Sequence, residues 1–410
     1  MLNPKTKQRE LAYVVKIDAI EPIVGSDNCE AAIVGGWKIM VRKETFEPGD
    51  LAVYFEIDSK VPETDTYSFL AMKHYKIKTQ KYTFGGKGNF VSQGLLMAFD
   101  DFKDELNKYK HYFDKGYVYT LEVGTPLTDA LGVTYSIIED NKRKATVNKY
   151  ARMKQRNAKL FDKYKILQKL YKKTWGKKLL FLFLGNRRDA RASFWPDWVV
   201  KTDEERIQNL PQLFPPDNTE WFVTEKIDGT STTFTMKREK RNRYDFYVCS
   251  RNVVFDKPDK QCFYETNVYT EMAEKYDIEW VLKTILERDK NLTFVTIQGE
   301  TYGNGIQKRD YHLKEHNFMA FNLIYGTKDG ITRRCNPREM TDRLEAYDIP
   351  CVPILDEHFQ LPNSIEEMIA YADGTSVIDG DLREGLVLRT YDGVNSFKAV
   401  SNEYLINKGE

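Results

Sequence analysis

The seven residues EKIDGTS at 225–231 set a lysine, Lys226, two positions before a carboxylate, Asp228, with Gly229 next. On an extended strand Lys226 and Asp228 leave by the same face, and Gly229 lets the chain turn close to a ligand. A lysine amine attacks only after losing its proton, and its ordinary pKa near 10.4 keeps it charged at neutral pH. A second cation and a divalent metal nearby favour the neutral form. The same residues also fit a plain reading, in which Lys226 pairs with Asp228 or another carboxylate on an exposed sheet. KxDG alone does not separate the two.

Five further stretches follow in order. SRN at 250–252 and QGE at 298–300 each end a strand, and the second runs on into TYGNGIQK. FMAFN at 318–322 puts an aromatic on a strand, and REGLVLR at 383–389 and SFKAVSNEYL at 396–405 come last. Together, across roughly residues 220–405, these resemble the six ordered motifs of the covalent nucleotidyltransferase superfamily, which comprises polynucleotide ligases and mRNA capping enzymes.

The resemblance implies a role for each residue. Lys226 forms a lysyl–AMP phosphoramide with ATP. Glu225 lies beside the nucleotide, and Asp228 positions Lys226 or a metal-bound water. Arg251 contacts the nucleotide and the incoming terminus, with Asn252 beside it. Glu300 binds ribose hydroxyl or metal water, and Phe321 stacks on adenine. Glu384 holds Mg²⁺ or Mn²⁺, for which Asp228 and Glu300 are further candidates. Lys398 holds the α-phosphate, and Arg389 adds positive charge. Taken singly, Phe321 also fits ordinary core, and Arg251, Glu300 and Glu384 fit surface ion pairs. The order of the set is what outweighs those readings.

DNA ligases and capping enzymes carry an OB domain after the last motif, whereas 12 residues follow Lys398 here. GNGIQK and SFKAVSNEYL resemble the nick-sealing, phage-like RNA ligases. The stretch from Pro22 to Ser59 is similar to the OB domain placed ahead of the ligase domain in one branch of them. The expected activity is therefore ATP-dependent joining of RNA 3′-hydroxyl and 5′-phosphate ends, with a capping-type guanylyltransferase or a non-catalytic RNA-binding protein as alternatives. The chain departs from its relatives at Ser396 and Arg389, where lysines are common, and at Asn322, where aspartate is. Arg389 keeps the charge but not the compact ammonium.

Three elements must position these residues. Residues 1–135 read as short strands with partial alternation at Val14, Val15 and Ile17, at Ile39 and Val41, and at Val53, Phe55 and Ile57, with Pro48-Gly49 as punctuation. A small β-barrel of the OB type fits them. Residues 136–195 read as a basic helical linker, helical over 139–178, with Tyr150, Met153, Leu160, Tyr164, Leu167 and Tyr171 near one face. Calmodulin-target and membrane-surface helices have similar composition. Residues 196–410 alternate strands and helices and read as an antiparallel-sheet catalytic domain, so the expected fold class is α+β. WFVTEKIDG and TSTTFTM look like paired strands there, and 270–289 looks like one helix.

Charge is uneven along the chain. The net charge is +1, but residues 141–200 hold 18 Lys and Arg against three Asp. Such a block neutralises phosphates, or is simply a solvated helix face. The longest apolar run, Leu179–Leu184, falls far short of a membrane span. Five scattered cysteines without a CxxC pair argue against a zinc ribbon or a disulfide framework, and point to a reducing, cytoplasmic setting. A monomer acting on broken or nicked RNA, with no membrane partner, is the resulting expectation.

Overall fold

Partial alternation in the first third of the chain has a structural cause: its central strands are buried on both faces. A computed structural model describes residues 9–85, 89–102, 105–113, 116–135, 158–184, 196, 198–201, 203–240, 243–251, 253–255, 267–307 and 309–408. The first region carries β1 (Ala12–Lys16), β2 (Ala19–Pro22), β3 (Cys29–Val34), β4 (Trp37–Arg42), β5 (Leu51–Phe55), β6 (Ser59–Lys60), β7 (Gln80–Thr83), β8 (Asn89–Ser92), β9 (Leu95–Met97), β10 (Lys110–Phe113), β11 (Gly116–Tyr119) and β12 (Thr134–Tyr135). Three-stranded sheets β1-β5-β9 and β2-β3-β4 are accompanied by the separate two-stranded sheets β7-β8, β10-β11 and β12-β6. Val14, Val53, Phe55 and Met97 fill one core, while Tyr13, Val15, Ala52 and Tyr54 fill another with Trp37 and Ile39. Strand side chains alternate between faces, so β1 and β5 feed both cores and read as near-continuous apolar runs.

Among the described residues, the linker is three short helices, Ala158–Lys163, Lys165–Tyr171 and Thr174–Leu184. Phe161 and Leu180 form their core, with Leu167, Leu170 and Tyr171 packed against it. Leu160 and Tyr164 are instead exposed, at 40% and 46%. The expected single stripe fails because the chain breaks at Tyr164, in extended conformation, so 3.6-residue spacing does not carry across. Tyr150 and Met153 lie outside the described residues. Lys165, Lys169, Lys172, Lys173 and Lys178 are exposed. No described helix is long and apolar enough to cross a membrane.

The last region holds β13 (Glu205–Arg206), β14 (Glu220–Lys226), β15 (Thr230–Arg238), β16 (Tyr244–Ser250), β17 (Val254–Phe255), β18 (Leu292–Gly303), β19 (His316–Thr327), β20 (Thr332–Arg334), β21 (Ile354–Gln360), β22 (Gly385–Thr390) and β23 (Ser396–Val400). They form a six-stranded sheet, β17-β16-β15-β18-β19-β20, and a five-stranded sheet, β13-β23-β22-β14-β21. All pairs are antiparallel except β13 with β23. Helices Val268–Lys275, Ile278–Arg288 and Pro337–Glu345 bury Met272, Leu282, Leu286, Met340 and Leu344 against Phe234, Val295 and Phe318 of the larger sheet. Helix Ile365–Ala372 buries Met368 and Ile369 against Val223, Leu386, Leu388 and Phe397 of the smaller one. Each sheet is thus covered on one face, and the opposite faces carry the polar groups.

Two sequence expectations change here. The stretch 270–289 is two helices, because Asp277 adopts the left-handed region at φ 46°, which Asp tolerates better than most residues. WFVTEKIDG and TSTTFTM are not paired: β14 lies between β21 and β22, whereas β15 lies between β16 and β18. The KIDG corner carries the chain from one sheet to the other. It does so at Gly229, where a Cβ would collide with the Thr301 carbonyl.

The amino-terminal region packs on this domain through the residues ahead of β14. Trp37 Nε1 donates to Asn209 Oδ1 at 2.6 Å, and Gly36 N–H donates to the Gln208 carbonyl at 2.9 Å. Ile57 shares a small core with Val400 and Leu405.

Candidate active site

Lys226 is the last residue of β14, opposite Gly385 of β22, so it stands where the two sheets separate. Trp221 and Val223 point into the core of the smaller sheet, and period-two alternation sends Lys226 to the other face. Its Nζ lies 2.8 Å from Glu384 Oε2. Burial disfavours the ammonium charge, but the carboxylates of Glu384, Glu300 and Asp228 outweigh it and hold the amine well above its ordinary pKa. Without a counter-cation this lysine is protonated.

Asp228 reaches this group by a route other than the expected one. The strand ends at Lys226, so shared-face alternation does not apply. The Asp228 carboxylate is instead 8% exposed and accepts the Tyr404 hydroxyl at 2.6 Å, and its backbone N–H donates to Tyr311 Oη at 2.7 Å. Arg309 lies over the Tyr311 ring at 4.1 Å and forms a two-pronged pair with Asp379, fixing that side of the pocket. Tyr404 was visible in SFKAVSNEYL without an assigned role, and nothing in the sequence singled out Tyr311.

Glu300, in β18 opposite Ser231, has its carboxyl pushed up to about 8. Burial is the main cause; the charges of Glu384 and Asp228 add to it, against the pull of Lys226 and Arg251. Lys398, in β23, shares the Lys226 face through Val387, opposite which it sits, and is flanked on its other side by Arg206. Burial, then the guanidiniums of Arg206 and Arg9, push its amine down to about 7. The amine with the depressed pKa is therefore Lys398 and not Lys226.

Phe321 lies on β19 at an irregularity. Gln298 pairs with Asn322 while the adjacent Gly299 pairs with Ala320, so Phe321 is the extra residue of a bulge. Phe318 and Ala320 before it, and Leu323 and Tyr325 after it, all point into the main core. The bulge shifts the alternation by one and leaves Phe321 on the opposite face, packed with Ile227, Tyr302 and Val352. Asn322, the departure from aspartate, is buried and donates to Gln298 Oε1 at 2.8 Å.

The remaining expected residues are spread around this centre. Arg251 makes two hydrogen bonds to Asp203, at 2.8 and 2.6 Å, and sits over the Tyr135 ring of β12 at 5.5 Å. Arg389 is 3% exposed and is tied to the Phe321 carbonyl at 2.5 Å and to Glu204 Oε1 at 3.0 Å. Ser396 donates to Glu204 as well. Glu225 leaves β14 on the face away from Lys226 and accepts the Val377 N–H at 2.9 Å, while its Oε1 is buried without a hydrogen bond. Asn252 lies outside the described residues. Asp203, Glu204 and Arg206 had no sequence signal, because their partners lie far along the chain.

Among the described residues, the group with ligand atoms all within 4.8 Å of one another is His312, Asp379 and Asp381, which includes none of the carboxylates around Lys226. Asp228, Glu300 and Glu384 are more widely set around the ammonium. Three carboxylates, one of them held largely protonated by burial and then by its neighbours, form an oxygen donor set. This suits a hard divalent cation that keeps part of its water shell.

Two sheets meet at a lysine bracketed by carboxylates, the arrangement that the ordered motifs of the covalent nucleotidyltransferases imply. Residues 219–400 match the RNA ligase family model, and residues 11–98 match an OB-fold domain model. The chain is thus similar to RNA ligases over residues 219–400, with an OB-fold match ahead of that region, as the ordered motifs implied. Solved structures agree. Naegleria gruberi RNA ligase, as a point variant with ATP and Mn, superposes with a TM-score of 0.67 at 25% identity, covering 98% of each chain. The same enzyme with pyrophosphate gives a TM-score of 0.67 at 27% identity over 97% of this chain and 98% of that one. A further variant with AMP and Mn gives 0.66 at 26%, over 97% and 98%. No curated protein matches the chain significantly.

Proposed function

We propose that this chain is an ATP-dependent RNA ligase in which Lys226 is the nucleophile, and that its RNA is a nicked duplex. The observation that carries the reading is the placement of Lys226 at the junction of the two sheets, 2.8 Å from Glu384 and within the field of Glu300 and Asp228. The solved relatives of Naegleria, held with ATP, AMP, Mn or pyrophosphate, support the same chemistry.

In the first step the Lys226 amine, once deprotonated, attacks the α-phosphorus of ATP. A P–N bond forms and the P–O bond to pyrophosphate breaks. In the second, an oxygen of the RNA 5′-phosphate displaces the lysine, which takes back a proton as AMP passes to the RNA. In the third, the 3′-hydroxyl attacks the 5′-phosphorus, gives up its proton, and AMP leaves. The protein contributes mainly position and charge.

Asp228, Glu300 and Glu384 would hold Mg²⁺ or Mn²⁺. When bound, such a cation would offset the carboxylates that keep Lys226 protonated and would screen the triphosphate. Lys398 holds the α-phosphate, since an anion beside it restores the charge that Arg206 and Arg9 disfavour. Phe321 stacks on adenine, with Asn252 at the nucleotide and Arg251 at the incoming terminus, while Glu225 supports β14 from its far face through the Val377 N–H. The exposed lysines of the helical segment bind the RNA flanks. Domain limits at 1–135, 136–195 and 196–410, a monomeric state and a cytoplasmic location complete the proposal.

The test is sealing of a 5′-phosphorylated nick in duplex RNA with ATP and Mn²⁺, alongside single-stranded and gapped RNA. Preferential sealing of the nick supports the proposal. An adduct that forms from ATP but never yields joined RNA refutes the ligase activity, and an adduct from GTP alone marks a capping-type enzyme.

A further inference from the structure

We infer that Glu204 is a positioning residue for the nucleotide face, acting through Arg389 on the bulged Phe321. Glu204 lies two residues before the Arg206–Lys398 pairing and collects three donors from three strands. It accepts Arg389 Nη2 at 3.0 Å and the Ser396 hydroxyl, and pairs with Arg334 Nη1 at 3.6 Å. The two guanidiniums and the hydroxyl hold its carboxyl below the usual range despite burial. The other arm of the Arg389 fork donates to the Phe321 carbonyl at 2.5 Å.

That second contact matters because of the bulge. Residues at a bulge lose regular ladder partners, and a buried carbonyl needs a donor from elsewhere. Arg389 supplies it, and the planar fork fixes the direction in which it does so. Arg389 can sit there, 3% exposed, because Glu204 balances its charge. With the carboxylate removed, Arg389 and Arg334 face each other in a buried space where burial and Arg389 already depress Arg334. Repulsion would then drive Arg389 from the Phe321 carbonyl and free the bulge to shift. Since alternation has a period of two, a shift of one residue would return Phe321 toward the core face.

The two departures from the lysine pattern thereby acquire a joint role. Arg389 reaches the carbonyl and the carboxylate at once, which a single ammonium does less rigidly. Ser396 bonds the same carboxylate without adding a third positive charge.

This inference rests on the reading that Phe321 packs against adenine. The test uses the full chain with Glu204→Gln, Phe321→Leu and the double variant, following lysyl–AMP formation against ATP concentration. The expected result is a KM for ATP raised about tenfold by Glu204→Gln, kcat within about twofold, and a double variant no worse than the poorer single one. Additive effects, or a fall in kcat with KM unchanged, overturn the inference. If Phe321→Leu raises KM and Glu204→Gln does not, the inference fails while the nucleotide reading stands. If Phe321→Leu leaves KM unchanged, the nucleotide reading fails and takes the inference with it. Should Glu204→Gln fail to fold by circular dichroism, Arg389→Lys keeps the charge opposite Glu204 but loses the fork. An unchanged KM in that variant overturns the inference, and a raised one supports it.

Discussion

Replacing Glu300 by glutamine should make the unliganded protein relatively more stable as pH rises. The Glu300 carboxyl is raised from 4.5 to about 8 by burial and by the charges of Glu384 and Asp228. The folded protein therefore keeps a proton that the unfolded chain releases between those two values. Its stabilising contribution is complete below 4.5 and is lost as pH rises through about 8. At roughly 1.36 kcal/mol per pKa unit the ceiling is about 5 kcal/mol. Partial solvent access screens this to about 1–2 kcal/mol. Glutamine does not titrate, so Glu300→Gln should gain about that much on the native protein between pH 5 and pH 9. In a domain of about 200 residues the gain corresponds to roughly 3–6 °C in Tm. Thermal melts of both proteins in chelator, across that range, measure it. Mn²⁺ should shrink the gain, because the cation stabilises the ionised carboxyl of the native protein. A Tm difference that stays constant from pH 5 to pH 9 refutes the electrostatic account of this pocket.

Two substitutions probe the corner that carries the nucleophile. Gly229→Ala would drive a Cβ into the backbone carbonyl of Thr301, which has no flexible end to give way, and should cost about 1–3 kcal/mol in urea unfolding. Tyr404→Phe removes a donor from the buried Asp228 carboxylate without changing shape. It should slow lysyl–AMP formation about tenfold, equivalent to about 1.4 kcal/mol, with little change in the KM for ATP. An unaltered rate would show that Asp228 does not depend on that hydroxyl.

Part of the catalytic domain was legible because its strands stand out as apolar runs, although burial on both faces and the bulge at Phe321 break a strict alternation. In β14 Trp221 and Val223 face the core and Lys226 does not, and in β22 Leu386 and Leu388 face it while Val387 and Arg389 do not. Strands β1 and β5 were harder to read, since both their faces are buried. The pairing of β14 with β15 was misjudged because adjacency in sequence normally implies adjacency in a sheet, and the close approach at Gly229 overrides it. Tertiary contacts alone decide the rest. Glu204 meets Arg389 and Ser396 across more than 180 residues, and Arg9 approaches Lys398 from the amino-terminal region. The departures from lysine at Arg389 and Ser396 also have a structural setting. Both residues serve a buried carboxylate beside the site, while Lys398 is crowded by Arg206 and Arg9.

The central claim is that Lys226 becomes covalently joined to AMP. Incubation of the full chain with ATP labelled at the α-phosphate and Mn²⁺, followed by denaturing gel and peptide mass mapping, tests it directly. The account predicts a labelled chain whose AMP maps to Lys226, no label from ATP labelled at the γ-phosphate, and no adduct in Lys226→Ala. An undiminished adduct in Lys226→Ala, or AMP mapped to any other residue, would contradict it.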